Sequence, residues 1–347
     1  MDTDIKKNKE IVIRIIKSWD WPDMLNQTPQ GKGVWGGIQF TFDEGDNCDY
    51  VLVLNSITRD AGVYCNEKNL WLIHQEPPNE FFRHTYKPCG IYSRVYTTDS
   101  HLVGERYIHT QTGLPWHINR SYDFLRKEPM PKKNKLLCWV TSKKNIFEGH
   151  KKRLNFLKNI SHKSACDITA TLNYYERKLH VKTQQEKEEL KKALYAEGYS
   201  SVAQDKWEAL SPYRYSLVVE NFAGPDYWSE KLADAYLSYT MPIYYGCTNI
   251  SNYFPESSYI KIDIEDPKCP DTINRIIHSN LWKRNQKTIC KARELILEKY
   301  QFFPLFSEYI KKWKEDNNSG QKSSIILKNE NSLPHLLEGR IKRLLYR

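Results

Sequence analysis

The feature that most restricts what this chain can fold into is an alternation. Short strand-like runs, some of them continuously apolar, are separated by stretches with helical periodicity. In the first part of the chain the runs fall at 11–16, 50–54, 70–74 and 94–98. Continuous apolar runs such as 50–54 and 70–73 are the mark of strands buried on both faces, as in parallel sheets. A second series follows, with runs at 136–140, 167–171, 215–219, 242–246 and 259–262. Helical patterns lie between them over 149–160, 184–197 and 229–239, and long ones fill 271–314. Gly198 ends one helix and Ser229 is a good N-cap for another. Between the two series lies 129–135, Pro-Met-Pro-Lys-Lys-Asn-Lys, which reads as a linker. Strands alternating with helices predict α/β architecture, and two such series predict two Rossmann-like domains facing a cleft. The expected division is a first domain over 1–130 and a second over 136–314. A tail over 315–347 is read as a polar linker followed by a basic amphipathic helix. Ligands of such folds bind beyond the carboxyl ends of the strands.

Composition narrows the function. The 347 residues are 40% apolar and 13% aromatic, enough to bury two real cores. No run reaches the roughly 18–20 apolar residues of a membrane span. The polar start, Met1-Asp2-Thr3-Asp4-Ile5-Lys6-Lys7, lacks the pattern of a secretory signal, so a cytoplasmic location is expected. In the tail, Leu337, Ile341, Leu344 and Leu345 share one helical face, with Arg340, Lys342, Arg343 and Arg347 mostly elsewhere. That pattern fits peripheral membrane contact, or equally a helix packed back on the body. Eight cysteines show no Cys-x-x-Cys spacing and read as reduced small hydrophobes. The formal charge of +10 fits nucleic acid, an anionic membrane or a phosphorylated substrate. Because the charges are scattered and no recognition helix, RNP motif or zinc finger is present, no nucleic-acid partner is expected. No metal ligand set emerges. Asp2-Thr3-Asp4 precedes any strand, Asp263-Ile264-Glu265-Asp266 reads as a loop or cap, and His101, His109 and His117 recur every eight residues, which fits no zinc pattern.

Three segments bear chemistry. The most informative is 215–246, YSLVVENFAGPDYWSEKLADAYLSYTMPIYYG. A buried strand ends at Glu220-Asn221, a loop with Gly224 and Pro225 follows, and a helix starts near Ser229. A helix start offers unpaired N–H groups and a positive dipole end to phosphate. Lys231 adds a cation there, and Glu230 is an acceptor-only group suited to a sugar or ribose diol. An ordinary strand-loop-helix unit with a dipole-favoured Glu explains the same residues. The second segment joins Trp139-Val140-Thr141-Ser142 to Gly149-His150-Lys151-Lys152-Arg153-Leu154. The third is Leu70-Trp71-Leu72-Ile73-His74-Gln75-Glu76-Pro77-Pro78. It places a carboxylate at a strand's carboxyl end in a proline-stiffened loop, which is where a general base serves. A turn Glu before Pro-Pro is the plain alternative. Glu80 is a rival carboxylate and His74 a lesser candidate.

Taken together, these segments resemble the α-1,3-fucosyltransferases of glycosyltransferase family 10. Val219-Glu220-Asn221, Tyr227-Trp228-Ser229-Glu230-Lys231 and Met241-Pro242-Ile243-Tyr244-Tyr245-Gly246 match the order and spacing of the family's donor signature, with Val219 replacing the usual aromatic. The resemblance covers roughly 70–265. It implies the GT-B arrangement and an inverting transfer of L-fucose from GDP-fucose to a glycan hydroxyl, α-1,3 to N-acetylglucosamine or glucose. Asn221, Tyr227, Glu230 and Lys231 would bind GDP-fucose, Arg153 would reach its diphosphate, and Glu76 would be the catalytic base. No cofactor is required on this reading, with a divalent cation such as Mn2+ at most a stimulant. The same fold acting on another nucleotide sugar, or a non-catalytic glycan- or nucleic-acid-binding protein, are the alternatives.

Overall fold

The computed structural model describes residues 11–45, 47–85, 90–161, 166–316 and 321–329. Asp2-Thr3-Asp4, Cys89 and the tail helix expected over 333–347 lie outside the described residues. The chain divides into two compact units, Met1–Gly113 with Phe302–Arg347, and Leu114–Gln301.

The first unit is built on β1 (Ile11–Ile16), β2 (Val34–Trp35), β3 (Ile38–Thr41), β4 (Tyr50–Leu54), β5 (Ala61–Cys65), β6 (Leu70–Ile73), β7 (Arg94–Thr97) and β8 (Tyr107–His109). Seven of these form one sheet in the order β2-β3-β1-β4-β6-β7-β8. Only the short β2 runs antiparallel to its neighbour. The order reverses between β1 and β4, so a crevice is expected beyond the ends of those two strands. The continuous apolar run of β4 is explained by burial on both sides. Tyr50, Leu52 and Leu54 join one core, while Val51 and Val53 join the other. The helix Phe302–Asp316 supplies the first of these cores, with Phe306 5.2 Å from Tyr96 and Phe303 5.0 Å from Phe40 between ring centroids. On the opposite side, β5 pairs antiparallel with the strand Ser323–Leu327.

Two expectations about boundaries need correction. Residues 302–314 were assigned to the second domain, but their aromatic face packs on the first sheet. Residues 114–130 were assigned to the first, but Trp116, Ile118 and Leu125 lie in the second core. Part of the expected polar linker, at 323–324, is the beginning of a strand. The 129–135 segment is a connector by shape but not a loose one. Lys133 is buried and donates to the Ser238 carbonyl at 2.6 Å and the Thr240 hydroxyl at 2.9 Å, and burial pushes its ammonium down to about 7.

The second unit holds β9 (Lys135–Val140), β10 (Cys166–Thr171), β11 (Ser201–Ala203), β12 (Tyr213–Val219), β13 (Met241–Tyr245) and β14 (Ile260–Lys261). All pair in parallel, in the order β11-β10-β9-β12-β13-β14. This is the doubly wound dinucleotide-fold order, with its switch point between β9 and β12. Both units are therefore Rossmann-like α/β structures. Among the described residues, no helix is long and apolar enough to cross a membrane.

Candidate active site

The switch point of the second sheet collects the charged residues. The loop after β9 leads into the helix Glu148–Ser161, and the loop after β12 leads into the helix Glu230–Leu237. The first helix starts against the second loop. A Cβ on Gly149 would sit 1.8 Å from the Asn221 carbonyl oxygen, so only glycine permits this approach. One turn further on, Arg153 is buried to 4% exposure and donates to the Asn221 side-chain oxygen at 2.7 Å and to the Ser142 carbonyl at 3.0 Å. Its Nε is buried without a partner. Two of the three sequence segments thus meet through one guanidinium.

Glu220 is the second hub. It is buried to 1% exposure and accepts from the Ser229 N–H at 2.8 Å and the Ser229 hydroxyl at 2.6 Å. Gly246 leaves room for it, since a Cβ there would lie 2.5 Å from Glu220 Cγ. Ser229 caps its helix as expected, accepting from the Lys231 N–H. The Lys231 ammonium reaches the Ser229 hydroxyl at 3.1 Å, Glu230 at 3.2 Å and Glu220 at 3.5 Å. Burial pushes the Glu220 carboxyl up, against the pull of Lys231. Burial alone would also raise Glu230, but Lys231, Lys206 and His117 outweigh it and hold that carboxyl well below the usual range. Lys231 is held above its ordinary value because Glu230 and Glu220 outweigh burial.

A further layer supports this one. Lys206 pairs with Asp234 at 2.7 Å and approaches Glu230 at 3.9 Å. Asp234 also accepts from the His117 backbone N–H at 2.9 Å. Burial pushes Asp234 up to about 6 despite Lys206, and pushes the His117 imidazole down to about 3. His150, buried in the first turns of its helix, accepts from the Ile146 and Phe147 N–H groups. It is pushed down to about 4 by burial and by Arg153.

The five expected donor residues fall as follows. Arg153 and Asn221 are bonded to each other, and Glu230 and Lys231 are paired beside Glu220. Tyr227 is buried, with its ring edge-on to Phe222 at 5.8 Å. Glu76 stands in the first unit, just beyond β6, and Glu80 opens the helix Glu80–Thr85. Sequence reasoning missed Glu220 as a side chain with its own role, and also Lys206, Asp234 and His117. Glu220 sits inside the Glu-Asn pair of the motif and was open to recognition as a buried strand-end acid. The partners of Lys206 and Asp234 are far away in sequence and leave no local signal. The three histidines of the eight-residue spacing serve separate ends. His101 pairs with Asp99 at 3.2 Å, His109 bonds the Asp99 and Leu102 carbonyls, and His117 belongs to the second unit. Asp263 and Asp266 accept from the backbone N–H groups of Glu265 and Lys268, as caps do. Among the described residues, no three His, Cys, Asp or Glu side chains converge as a metal site.

Two parallel-sheet units, one with an Arg–Asn and Glu–Ser–Lys–Glu cluster at its switch point, define the fold class: the two-Rossmann-unit fold found in glycosyltransferases of the GT-B kind. Residues 130–279, which lie within the second unit, match the family model described as glycosyltransferase family 10 (fucosyltransferase) C-term. Among curated proteins, the alpha-(1,3)-fucosyltransferase FucT of Helicobacter pylori is 38% identical over 65 residues, which are 19% of this chain and 13% of that protein. The match thus spans only about an eighth of that relative. Among solved structures, a glycosyltransferase from Rickettsia africae aligns over 90% of this chain and 100% of its own, with a TM-score of 0.50 and 10% identity. An alpha1,3-fucosyltransferase with GDP aligns over 87% and 95%, with a TM-score of 0.47 and 16% identity.

Proposed function

We propose that this protein transfers L-fucose from GDP-fucose to a hydroxyl of a glycan, with inversion at the anomeric carbon. The observation that carries the reading is the cluster at the β9/β12 switch point, where the family's signature residues meet. A diphosphate placed there meets Arg153, Lys231 and the N-terminus of the helix Glu230–Leu237. Arg153 Nε, a buried donor with no partner, is a group that a ligand oxygen would satisfy. Glu230 and Asn221 offer acceptors to sugar and ribose hydroxyls, and Tyr227 walls the same loop. In the reaction, the acceptor oxygen attacks C1 of fucose as its proton passes to Glu76, the C1–phosphate oxygen bond breaks, and GDP departs against the basic residues. Fixed donors and cations aimed at the leaving charge are the largest electrostatic aid to such a step. A β-linked donor gives an α-fucoside, to the 3-hydroxyl of N-acetylglucosamine or glucose on this reading. No cofactor is needed, and a divalent cation acts only as a stimulant. The chain works in the cytoplasm, with its basic tail a peripheral membrane contact.

The test is GDP-fucose with a panel of sugar acceptors, and product linkage read by NMR. Thermal shift against GDP-, UDP- and dTDP-sugars runs in parallel, because a true donor stabilises by mass action. An α-linked fucoside with selective stabilisation by GDP-fucose is expected. Stabilisation by a different nucleotide sugar alone would reassign the donor.

A further inference from the structure

Two carboxylates of the helix Glu230–Leu237 lie on the same side, one turn apart. Glu230 opens the helix and Asp234 follows four residues later, so the two acids are neighbours on its surface and repel. A single ammonium from another element lies between them. Lys206 Nζ is 2.7 Å from Asp234 Oδ2 and 3.9 Å from Glu230 Oε1. The transfer reaction itself gives this lysine no task.

Lys206 is fixed at both ends. It begins the helix Lys206–Leu210, whose N-cap Asp205 is buried, accepts from the Glu208 N–H at 3.0 Å and pairs with Arg120 at 2.7 Å. At the far end, Asp234 is buried and is itself held by the His117 N–H at 2.9 Å. A buried anion needs its cation, and that need accounts for the 2.7 Å contact. The approach to Glu230 is a second contact with a different consequence.

Both lysines meet Glu230 at the same oxygen. Lys231 donates to Oε1 at 3.2 Å, and Lys206 approaches that atom too. The other oxygen, Oε2, accepts no hydrogen bond among the described residues. The terminal torsion of a glutamate is broad and two-fold, so one cation does not fix the carboxylate plane. Lys231 is moreover shared with the Ser229 hydroxyl at 3.1 Å and with Glu220 at 3.5 Å. A second cation on Oε1 holds the charge there and leaves Oε2 to accept from a hydroxyl. The Glu230 side chain keeps 17% of its surface exposed, so a ligand can reach it.

We propose that Lys206 is a positioning residue for Glu230: it secures one carboxylate oxygen so that the other is presented to a hydroxyl of the nucleotide sugar. The assignment rests on the donor role given to Glu230 above. Lys206→Met alone strands the buried Asp234 carboxylate and so measures stability. The informative change is Lys206→Met/Asp234→Asn, which removes cation and anion together while an amide oxygen still accepts from the His117 N–H. Calorimetry gives the Kd for GDP-fucose on the full chain, on this pair variant, on Glu230→Gln and on the triple variant, with Tm taken on each. The pair variant should keep its Tm within about 4 °C and bind at least ~10-fold more weakly. Glu230→Gln should weaken binding by at least as much. The triple variant should lie within about twofold of Glu230→Gln, because residues that act through one another are not additive. If the pair variant unfolds, Lys206→Gln, which keeps a donor for Asp234, takes its place in the same cycle. Binding as tight as in the unaltered protein, by the pair variant or by Glu230→Gln, overturns the proposal. So does a loss that persists in full on top of Glu230→Gln, since Lys206 would then act independently of that carboxylate. A chain that binds another nucleotide sugar and not GDP-fucose loses the fucose reading alone, and the same cycle on that ligand decides the role of Lys206. Binding to none of the GDP-, UDP- and dTDP-sugars sinks both.

Discussion

The two sheets carry charge at their carboxyl edges in different ways. In the second unit the charges are buried or half-buried and paired with one another. Arg153 holds Asn221, and Lys231 is shared among Ser229, Glu220 and Glu230, with Lys206 and Asp234 behind them. In the first unit, Asp20, Glu44 and Arg59 stand exposed around a cavity. Buried charge is costly unless every partner is in place, so a cluster of this kind is rigid and committed to one ligand geometry. Exposed side chains around a cavity adapt, and they are replaced at little cost in stability. On the proposed function, the second unit is therefore preorganised for a fixed nucleotide, and the exposed edge of the first unit is open to variation.

Substitutions at the two edges should separate in size. Arg153→Leu leaves Asn221 and the Ser142 carbonyl without their donor and, on the proposed function, removes a diphosphate contact. Loss of one such preorganised group costs about 10²–10³-fold in rate, so kcat/KM for GDP-fucose should fall by that order. A fall below tenfold would mean that the guanidinium is structural. Glycines give a matched pair on stability. Gly149→Ala drives a Cβ into the Asn221 backbone, whereas a Cβ on Gly62 meets nothing within 4 Å. The first should cost about 2 kcal/mol or more, as overpacking does, and the second should stay within about 0.5 kcal/mol, as surface changes do. Chemical denaturation of both variants checks the contrast, and equal losses would break it.

The smallest effect is the pH dependence of stability. His117 and His150 have folded values near 3 and 4, below the ordinary 6.5. The unfolded chain therefore binds their protons first, and the stability they contribute is lost as pH falls from about 6.5 toward 4. Asp234 is raised from 3.8 to about 6, so it acts in the opposite sense and favours the folded state as pH falls through that window. Two histidines against one acid leave a net loss on acidification. Tm should drop between pH 6.5 and 4, and His150→Phe should flatten the slope. A rising Tm on acidification would show that Asp234 dominates.

Much of this was readable from the chain. The strands buried on both faces, 50–54, 70–73 and 215–219, announced themselves because every residue in them is apolar save Ser216. The three motif segments were also legible, since each ends a strand. Short or edge strands were not. Ala61–Cys65 alternates exposed and buried residues around a glycine, and Ser323–Leu327 lies partly in a stretch with linker composition. The crossing of the helix Phe302–Asp316 to the first sheet left no mark either, because nothing local says which sheet an aromatic face will cover. The same limit hid Lys206, Asp234 and His117, whose 2.7 Å and 2.9 Å contacts to Asp234 exist only after folding.

The measurement closest to the heart of the account is single-turnover fucose transfer by Glu76→Gln beside the unaltered protein, with GDP affinity taken on both. Removing a general base costs about 10²–10⁴-fold. The predicted result is a loss of that size with GDP binding unchanged. Transfer at the original rate, or GDP binding lost along with it, would contradict the assignment of proton removal to the first unit and nucleotide binding to the second.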